Sequence, residues 1–240
     1  MRPRTIKSKG WRDIVTDADF AAQSAILDVI TTRFPDHAIL SEERQPGVDW
    51  SASRPTWVID PLDGTTNYAH QFPSFSVAVA LVQAGELHIG VVHDPLRRVT
   101  FFAEKGQGAF AKYGRARPRP LRASGNRDFG DALVGVDWAR DPLLRRQVLE
   151  ALGRVTPDCR TVRTLGSAAL GLAYVASGAL DGYYHLSLQP WDVAAGALLV
   201  LEAGGTISTP SGAVWQLGHP RVVASNGILH TLLVKTLALE

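Results

Sequence analysis

The stretch WVIDPLDGTTN, residues 57–67, joins a short apolar strand to two closely spaced carboxylates. The strand Thr56–Ile59 leads directly into Asp60, and Asp63 follows three residues later. Two carboxylates this close repel each other unless a cation lies between them or one takes up a proton. The next residues, Gly64-Thr65-Thr66, offer backbone N–H groups at a helix start, where an anion can bind. The stretch predicts metal-binding carboxylates beside a phosphate-binding turn, although an ordinary Asp-Pro-x-Asp-Gly turn has the same pattern.

Apolar spacing in the rest of the chain predicts a mixed α/β fold. Helices are predicted over Asp19–Phe34, Pro142–Leu152, Ser167–Ser177 and Val193–Ala203. Strands are predicted over Ala38–Ser41, Thr56–Ile59, Ser76–Val82, Leu87–His93, Val99–Ala103, Gly108–Ala111, Ala132–Val136, Gly182–His185 and near Val222. The Gly-, Pro- and Arg-containing segment Lys112–Arg127 suggests a boundary between two halves, residues 1–115 and 116–240, within one compact unit.

The overall composition argues against several classes of protein. The formal net charge is only +2 and the basic residues are scattered, so no nucleic-acid partner is expected. The single cysteine, Cys159, excludes an internal disulfide framework and a cysteine-rich zinc site. No apolar segment follows the basic residues Met1–Lys9, and the most apolar stretch, Val193–Ala203, is too short to cross a bilayer. We therefore expect a soluble, cytoplasmic protein without a membrane partner.

Three further acidic positions have both a structural and a functional interpretation. Glu42-Glu43 follows an apolar run, so one of the two side chains could point toward the protein interior at the end of a strand. A solvated charge pair is the commoner case for such a sequence. Asp19 precedes or opens a helix, and Asp192 stands before the apolar stretch that starts at Val193. Helix capping explains either residue by itself. Taken singly, these positions do not establish a site.

The order of the acidic blocks along the chain is more informative than any one block. The blocks are Lys9-Gly10 with Asp13-Ile14-Val15-Thr16 and Asp19, Leu40-Ser41-Glu42-Glu43, Asp60 to Asn67, and Trp191-Asp192 with Glu202-Ala203-Gly204-Gly205; Gly90–Pro95 and Gly166–Ala169 lie between them. In this order they resemble the inositol monophosphatase family over nearly the whole chain. The resemblance implies a layered αβαβα sandwich, shared with fructose-1,6-bisphosphatases, and a homodimer. The first half then carries most metal ligands, and the second half carries the Trp191-Asp192 motif and substrate contacts.

The resemblance also implies a lithium-sensitive cluster of two to three Mg²⁺ ions, for which Mn²⁺ is an alternative. By position, Glu42, Asp60 and the backbone carbonyl of Leu62 are expected to hold the first ion. Asp60, Asp63 and Asp192 are expected to hold the second, and Glu42 with water a weaker third. Such ions neutralise the phosphate oxygens and activate a water molecule, so the resemblance implies hydrolysis of small phosphate monoesters.

The remaining roles follow from the same resemblance. Catalysis is assigned to Asp19, Glu42 and Thr65, with Thr65 and Asp19 orienting and deprotonating the attacking water. The N–H groups of Gly64 and Thr65 are expected to hold the phosphate. The full set of expected substrate contacts is Asp63, Gly64, Thr65, Thr66, Ser167, Ala168, His185 and Asp192.

Two departures from the family pattern affect these expectations. His185 stands where inositol-specific members have a glutamate that contacts ring hydroxyls, which favours a sugar phosphate such as fructose 1,6-bisphosphate over myo-inositol phosphate. Arg140 is a candidate contact for a second phosphate, although an ordinary surface arginine is the commoner case. The family also has a helix before the Lys9-Gly10 block, where this sequence has eight residues, so the loop Ile6–Asp13 is expected to be poorly supported.

Several alternatives to this function remain at the level of sequence. Within the same class they are a histidinol-phosphate phosphatase and a nucleotide 3′-phosphatase. From a different class, the alternative is a non-catalytic regulatory protein that keeps the fold. Such a protein is expected to lose a metal carboxylate or the activating threonine, and this chain retains them all.

Overall fold

Within residues 5–44 and 53–239, which the computed structural model describes, the chain forms fourteen strands and six α-helices. The helices are α1 (Asp17–Arg33), α2 (Thr65–Ala69), α3 (Pro142–Val155), α4 (Ala168–Ala176), α5 (Pro190–Glu202) and α6 (His230–Leu237). The strands are β1 (Ile6–Gly10), β2 (Asp13–Thr16), β3 (Ala38–Ser41), β4 (Thr56–Asp63), β5 (Ser76–Gln83), β6 (Glu86–Asp94), β7 (Val99–Glu104), β8 (Gly108–Tyr113), β9 (Arg119–Pro120), β10 (Leu133–Val136), β11 (Thr161–Arg163), β12 (Gly182–His185), β13 (Thr206–Ser208) and β14 (Val222–Ser225).

The larger sheet has seven strands in the order in which they occur along the chain, from β3 to β9. Strands β3 and β4 are parallel, and every later neighbour is antiparallel. In β5 the residues alternate between buried and half-buried, as expected for a strand with one face on the core. The register of β4 against β5 is irregular between Asp60 and Asp63, so β4 bends where its carboxylates begin.

The smaller sheet has five strands in the order β11-β10-β12-β14-β13. Strands β10, β11 and β12 are mutually parallel, whereas β14 is antiparallel to both β12 and β13. The parallel strands place the ends of β10 and β12 at the same edge of the sheet. Asp137 follows β10 and His185 ends β12, so the two residues come to lie at that edge.

The two sheets and the helices form five layers. Helices α4 and α5 lie between the sheets, where nearly all their residues are buried and share one apolar cluster with the larger sheet. Helices α3 and α6 cover the other face of the smaller sheet through a second cluster. Helix α1 packs on β4, and the ring of Phe34 at its end lies 5.4 Å from the Trp57 ring. This arrangement confirms the predicted αβαβα sandwich.

The predicted helices and strands are confirmed, with ends that differ by up to four residues. The largest difference is at β4, which continues to Asp63 instead of ending at Ile59, so both carboxylates belong to the strand. Strands β9, β11 and β13 and helix α6 were not predicted, because segments this short carry little periodic signal. The proposed division at residue 115 remains a prediction, and β9 beyond it still pairs with β8.

The expectation of a poorly supported loop at Ile6–Asp13 was wrong. Residues 6–16 form an antiparallel hairpin of β1 and β2, in which Ile6 pairs with Thr16. The hairpin is tied to the rest of the protein at both sides, through Lys9 to Glu42 and Glu43 and through Asp13 to Arg140. Among the described residues, no helix is both long and apolar enough to span a bilayer.

Candidate active site

One open cavity, with a volume of about 970 Å³, collects nearly all of the predicted site residues. It is formed by the end of β4, the starts of α2, α4 and α5, and the β1–β2 hairpin. The predicted residues that line it are Glu42, Asp60, Leu62, Asp63, Gly64, Thr65, Thr66, Ser167, Ala168, His185 and Asp192. Asp19 is fully buried behind Thr65 and reaches the cavity only through that residue.

Asp63 is held by the N-terminus of α4. Its Oδ1 accepts a hydrogen bond from Ala168 N at 3.2 Å, and its Oδ2 accepts from Ala169 N at 2.8 Å and Ser167 Oγ at 2.5 Å. The free N–H groups and the positive end of the helix dipole stabilise the carboxylate. Ser167 and Ala168, which were expected to contact the substrate, therefore already donate hydrogen bonds to Asp63. Their contact with a substrate stays a prediction.

Two glycines bring the turn after β4 against the loop before α4. Gly64 has a φ of +90°, and a Cβ there would lie 2.9 Å from the Gly166 carbonyl oxygen, which is closer than real side chains approach. Asn67 closes the same junction by donating from Nδ2 to Ser74 O at 2.6 Å and to Leu165 O at 2.8 Å. The junction fixes the start of α2 relative to the start of α4.

Thr65 and Asp19 form the hydrogen-bonded pair that the sequence predicted. Thr65 Oγ1 lies 3.0 Å from Asp19 Oδ1 and equally far from the Leu62 carbonyl oxygen, so its single proton is shared between two acceptors. Asp19 Oδ2 accepts from the backbone N and the Oγ1 of Thr16, which caps α1. Asp19 is thus both a helix-capping residue and the acceptor of the Thr65 proton. Because that proton is engaged, the lone pairs of Thr65 Oγ1 are left as acceptors.

Glu42 and Glu43 both turn inward, with exposed side-chain fractions of 11% and 5%. The interpretation as a solvated charge pair was therefore wrong, because the Lys9 ammonium brings both carboxylates under the hairpin. Lys9 Nζ lies 3.1 Å from Glu42 Oε1 and 2.8 Å from Glu43 Oε1. A protein cation thus already neutralises one side of the acidic cavity.

Burial and mutual repulsion raise the pKa values of the carboxylates in the cavity. Burial raises the pKa of Asp60 well above its usual range, and the charges of Glu42, Asp63 and Asp192 raise it further. Burial also raises the pKa of Asp63 to about 6 and that of Asp192 to about 8. The Glu42 pKa is raised by burial despite the opposing charge of Lys9. In the absence of a cation, a pKa of about 8 leaves Asp192 largely protonated at neutral pH.

The donor set of this cluster fits a hard divalent cation. Glu42, Asp60, Asp63, Asp192 and the Leu62 carbonyl offer only oxygen atoms, which Mg²⁺ and Mn²⁺ prefer. Over residues 5–44 and 53–239, however, no three acidic, histidine or cysteine side chains already stand in a closed ligating arrangement.

The metal-free protein is expected to lose stability as pH rises. The native-state pKa of Asp192, about 8, lies above the unfolded-state value of about 4. The stability that the protonated side chain contributes to the fold is therefore fully present below about pH 4 and is lost progressively as pH rises to about 8. We expect Asp192→Asn to gain stability relative to the wild type between about pH 5 and pH 8 in chelator, by up to about 1.4 kcal/mol per pH unit. Urea unfolding at both pH values measures this difference. A difference independent of pH would contradict the assigned electrostatics.

Asp137 is a buried cavity residue that the sequence did not single out. Its Oδ1 accepts from Leu165 N at 2.8 Å and Gly166 N at 2.6 Å, and its Oδ2 accepts from Tyr183 Oη at 3.0 Å. Burial raises its pKa to about 6. Asp137 therefore fixes the loop that leads into α4. Only its position after β10 could have indicated this, since the ends of parallel strands meet at one edge.

Comparisons with known proteins agree with this geometry. A family model described as the inositol monophosphatase family matches residues 2–239. The chain is 39% identical over 224 residues to the Nus factor SuhB of Salmonella typhimurium, covering 91% of this chain and 80% of that protein. It is 38% identical over 229 residues to the fructose-1,6-bisphosphatase/inositol-1-monophosphatase of Thermotoga maritima, covering 95% and 84%. The crystal structure of the extragenic suppressor protein suhB from Bartonella henselae superposes with a TM-score of 0.91 at 33% identity, covering 98% and 88%.

Proposed function

Since the chain belongs to the inositol monophosphatase family, we propose that it hydrolyses small phosphate monoesters with Mg²⁺ or Mn²⁺. The observation that carries this proposal is the juxtaposition in one cavity of Glu42, Asp60, Asp63 and Asp192 with the Thr65–Asp19 pair. A protein that only kept the fold would not need buried carboxylates whose mutual repulsion raises their pKa values. Buried charge of this kind costs stability and is typical of a functional site.

The proposed ligands divide as the sequence resemblance implied. Glu42, Asp60 and the Leu62 carbonyl are assigned to one cation, and Asp60, Asp63 and Asp192 to another, with Glu42 and water for a third. When bound, the cations supply charge neutralisation at the phosphate and a lowered pKa for the attacking water. Lys9 holds Glu42 at the edge of the cavity, so the hairpin supports the weaker site.

The protein groups proposed to act on the substrate are Thr65, Asp19 and the start of α2. The first N–H groups of α2 have no carbonyl partner inside the helix, and Gly64, Thr65 and Thr66 therefore present donors to a phosphate oxygen. Thr65 Oγ1 accepts a hydrogen bond from the attacking water, and its own proton is held by Asp19 at 3.0 Å. This pair orients the water, and as its oxygen bonds to phosphorus and the ester oxygen leaves, the water proton passes to Thr65 Oγ1 while the Thr65 proton passes to Asp19.

Phosphate release from a panel of esters tests the proposal. The panel contains myo-inositol 1-phosphate, fructose 1,6-bisphosphate, histidinol phosphate and 3′-phosphoadenosine 5′-phosphate, each with Mg²⁺, with Mn²⁺ and with a chelator. We expect turnover of at least one ester that depends on the metal ion, together with a metal-dependent rise in the melting temperature. Turnover that persists in chelator would contradict the metal mechanism.

The second candidate is a regulatory role without catalysis. The name Nus factor, given to the Salmonella relative, favours it. The two candidates are separated by the same panel, because a folded protein that binds the metal but releases no phosphate from any ester fits only the regulatory role. The homodimer and the lithium sensitivity remain predictions from the resemblance, and the cytoplasmic location remains a prediction from the composition.

A further inference from the structure

Asp137 and Tyr183 form a buried pair at the cavity edge of the smaller sheet. Asp137 follows β10 and is 5% exposed, and the Tyr183 side chain in β12 is fully enclosed. Tyr183 Oη donates to Asp137 Oδ2 at 3.0 Å. Burial, with the charge of Asp137, raises the pKa of Tyr183 well above its usual range, so the hydroxyl keeps its proton and remains a donor. The pair therefore fixes the direction of the Asp137 carboxylate.

Two glycines provide the space for the Tyr183 ring. A Cβ at Gly171 would lie 2.4 Å from Tyr183 Cε2, and a Cβ at Gly135 would lie 2.8 Å from Tyr183 Cδ2. Real side chains do not approach this closely, so any other residue at either position would displace the ring. Gly171 lies inside α4, where glycine is less stable than alanine because it loses more backbone entropy on folding. The sequence therefore accepts a destabilising residue in α4 at the point where the Tyr183 ring has to fit.

The Asp137 carboxylate holds the loop that precedes α4. Its Oδ1 accepts from Leu165 N at 2.8 Å and from Gly166 N at 2.6 Å, in addition to the bond from Tyr183 to Oδ2. All three neighbours donate, and an ionised carboxylate is a side chain that only accepts. Loss of the carboxylate would leave the two backbone N–H groups of the loop without this acceptor, which is unfavourable in a partly buried place.

The same loop reaches two parts of the proposed catalytic centre. On one side, Leu165 O accepts from Asn67 Nδ2 at 2.8 Å, and Asn67 belongs to α2, whose first N–H groups are assigned to the phosphate. On the other side, Ser167 follows the loop directly and donates from its hydroxyl to Asp63 Oδ2 at 2.5 Å. The place of the loop on Asp137 thus determines the place of a metal carboxylate and of the phosphate-binding turn.

We propose that Asp137, oriented by Tyr183, is a positioning residue that presents the Asp63 carboxylate to its cation and the start of α2 to the phosphate. The proposal rests on the phosphatase function proposed above and adds to it a residue outside the assigned ligands. Groups that orient metal ligands matter for binding, and their mutation typically lowers metal affinity about 10- to 100-fold. The effect of Asp137 is therefore measurable on cation binding itself, without a substrate.

The test measures Mn²⁺ affinity in the absence of substrate, from the loss of the electron paramagnetic resonance signal of the free ion. We expect Asp137→Ala to weaken Mn²⁺ binding at least about tenfold. Asp137→Asn is expected to stay within about threefold of the wild type, because its Oδ1 accepts from the loop while its Nδ2 donates to Tyr183 Oη.

Asp181→Ala provides the matched control. Asp181 is also a carboxylate that accepts from a backbone N–H group, that of Leu133 at 2.8 Å, but it lies at the opposite end of β10 and does not line the cavity. Its loss is expected to lower the melting temperature and to leave Mn²⁺ affinity unchanged. Mn²⁺ binding that Asp181→Ala weakens as much as Asp137→Ala would overturn the proposal, and so would a folded Asp137→Ala protein with an affinity within about threefold of the wild type.

A milder series of variants decides the question if Asp137→Ala does not fold. Tyr183→Phe keeps the ring against the two glycines and removes only the hydroxyl. In that background the amide of Asp137→Asn has lost its acceptor, so the direction of the side chain is no longer fixed. We expect the double variant to bind Mn²⁺ at least about tenfold more weakly than Asp137→Asn alone. Equal affinity of these two variants would overturn the positioning role.

Failure of the proposed function is a separate outcome. If the wild type binds Mn²⁺ but releases no phosphate from any ester, the phosphatase function is refuted. The Mn²⁺ affinities of the variants still decide the role of Asp137 in that case, because they are measured without turnover.

Discussion

We expect Asp60→Asn to lower kcat/KM by at least about three orders of magnitude, since this residue is assigned to both principal cations. Metal-centred stabilisation of a phosphoryl transition state amounts to several kcal/mol, and each 1.36 kcal/mol corresponds to a factor of ten in rate. Asn keeps the shape of the side chain and one oxygen, so Leu62 N retains its acceptor at this position. The loss is therefore electrostatic. Phosphate release under saturating Mg²⁺ measures it.

The same substitution is expected to leave the metal-free protein at least as stable as the wild type. Asp60 is 1% exposed, and the charges of three other carboxylates raise its pKa, so an uncharged side chain removes repulsion. Mg²⁺ is expected to raise the melting temperature of the wild type but not of the variant. Asp158→Asn, at an exposed position that does not line the cavity, provides the control. Turnover by the Asp60→Asn protein within tenfold of the wild type would contradict the assignment of Asp60 to both principal cations.

The second large effect is expected at Thr65. Thr65→Val keeps the shape of the side chain but removes the hydroxyl that lies 3.0 Å from Asp19 Oδ1. Loss of a group that accepts the proton of the nucleophile is expected to lower kcat by about 10²- to 10⁴-fold. Thr65→Ser keeps the hydroxyl and is expected to stay within tenfold of the wild type. Single-turnover measurements with saturating substrate separate this effect on chemistry from an effect on binding.

A double-mutant cycle with Asp19→Asn shows whether the pair acts as a unit. If Asp19 acts only through the Thr65 hydroxyl, the double variant is no slower than Thr65→Val alone, because groups that act together are not additive. Full additivity of the two losses would mean that Asp19 contributes only by capping α1. Equal rates for Thr65→Val and Thr65→Ser would show that the hydroxyl takes no part in the reaction.

The sequence predicts this site well where chemistry is concentrated in a short segment. Asp60, Asp63 and Thr65 lie in one stretch at the end of a strand, and their proximity follows from local geometry. Asp19 and Asp192 are different, because each is also a capping residue of its helix and each local pattern supports that role alone. Only the order of all the blocks, and the resemblance that it carries, indicated that the two residues approach Thr65 and Asp63.

Features that depend on contacts between distant segments could not be predicted. The inward position of Glu43 depends on Lys9, and the support of the hairpin depends on Arg140. The role of Asp137 depends on the loop at Leu165 and Gly166, which becomes its neighbour only when β10 pairs with β11. A sequence read segment by segment contains no signal for such pairings, because they arise from packing and not from local propensity.

The position of α4 and α5 between the two sheets has a consequence for biosynthesis. The inner face of the larger sheet, with Ala78, Ala80 and Val92, is covered by helices that leave the ribosome only after that whole sheet has been translated. A nascent chain that stops before Ala168 therefore exposes this apolar face and also leaves Asp63 without the helix that binds it. Release of such fragments from stalled ribosomes would yield species prone to aggregate, and the proposed catalytic centre cannot form before Asp192 has been added.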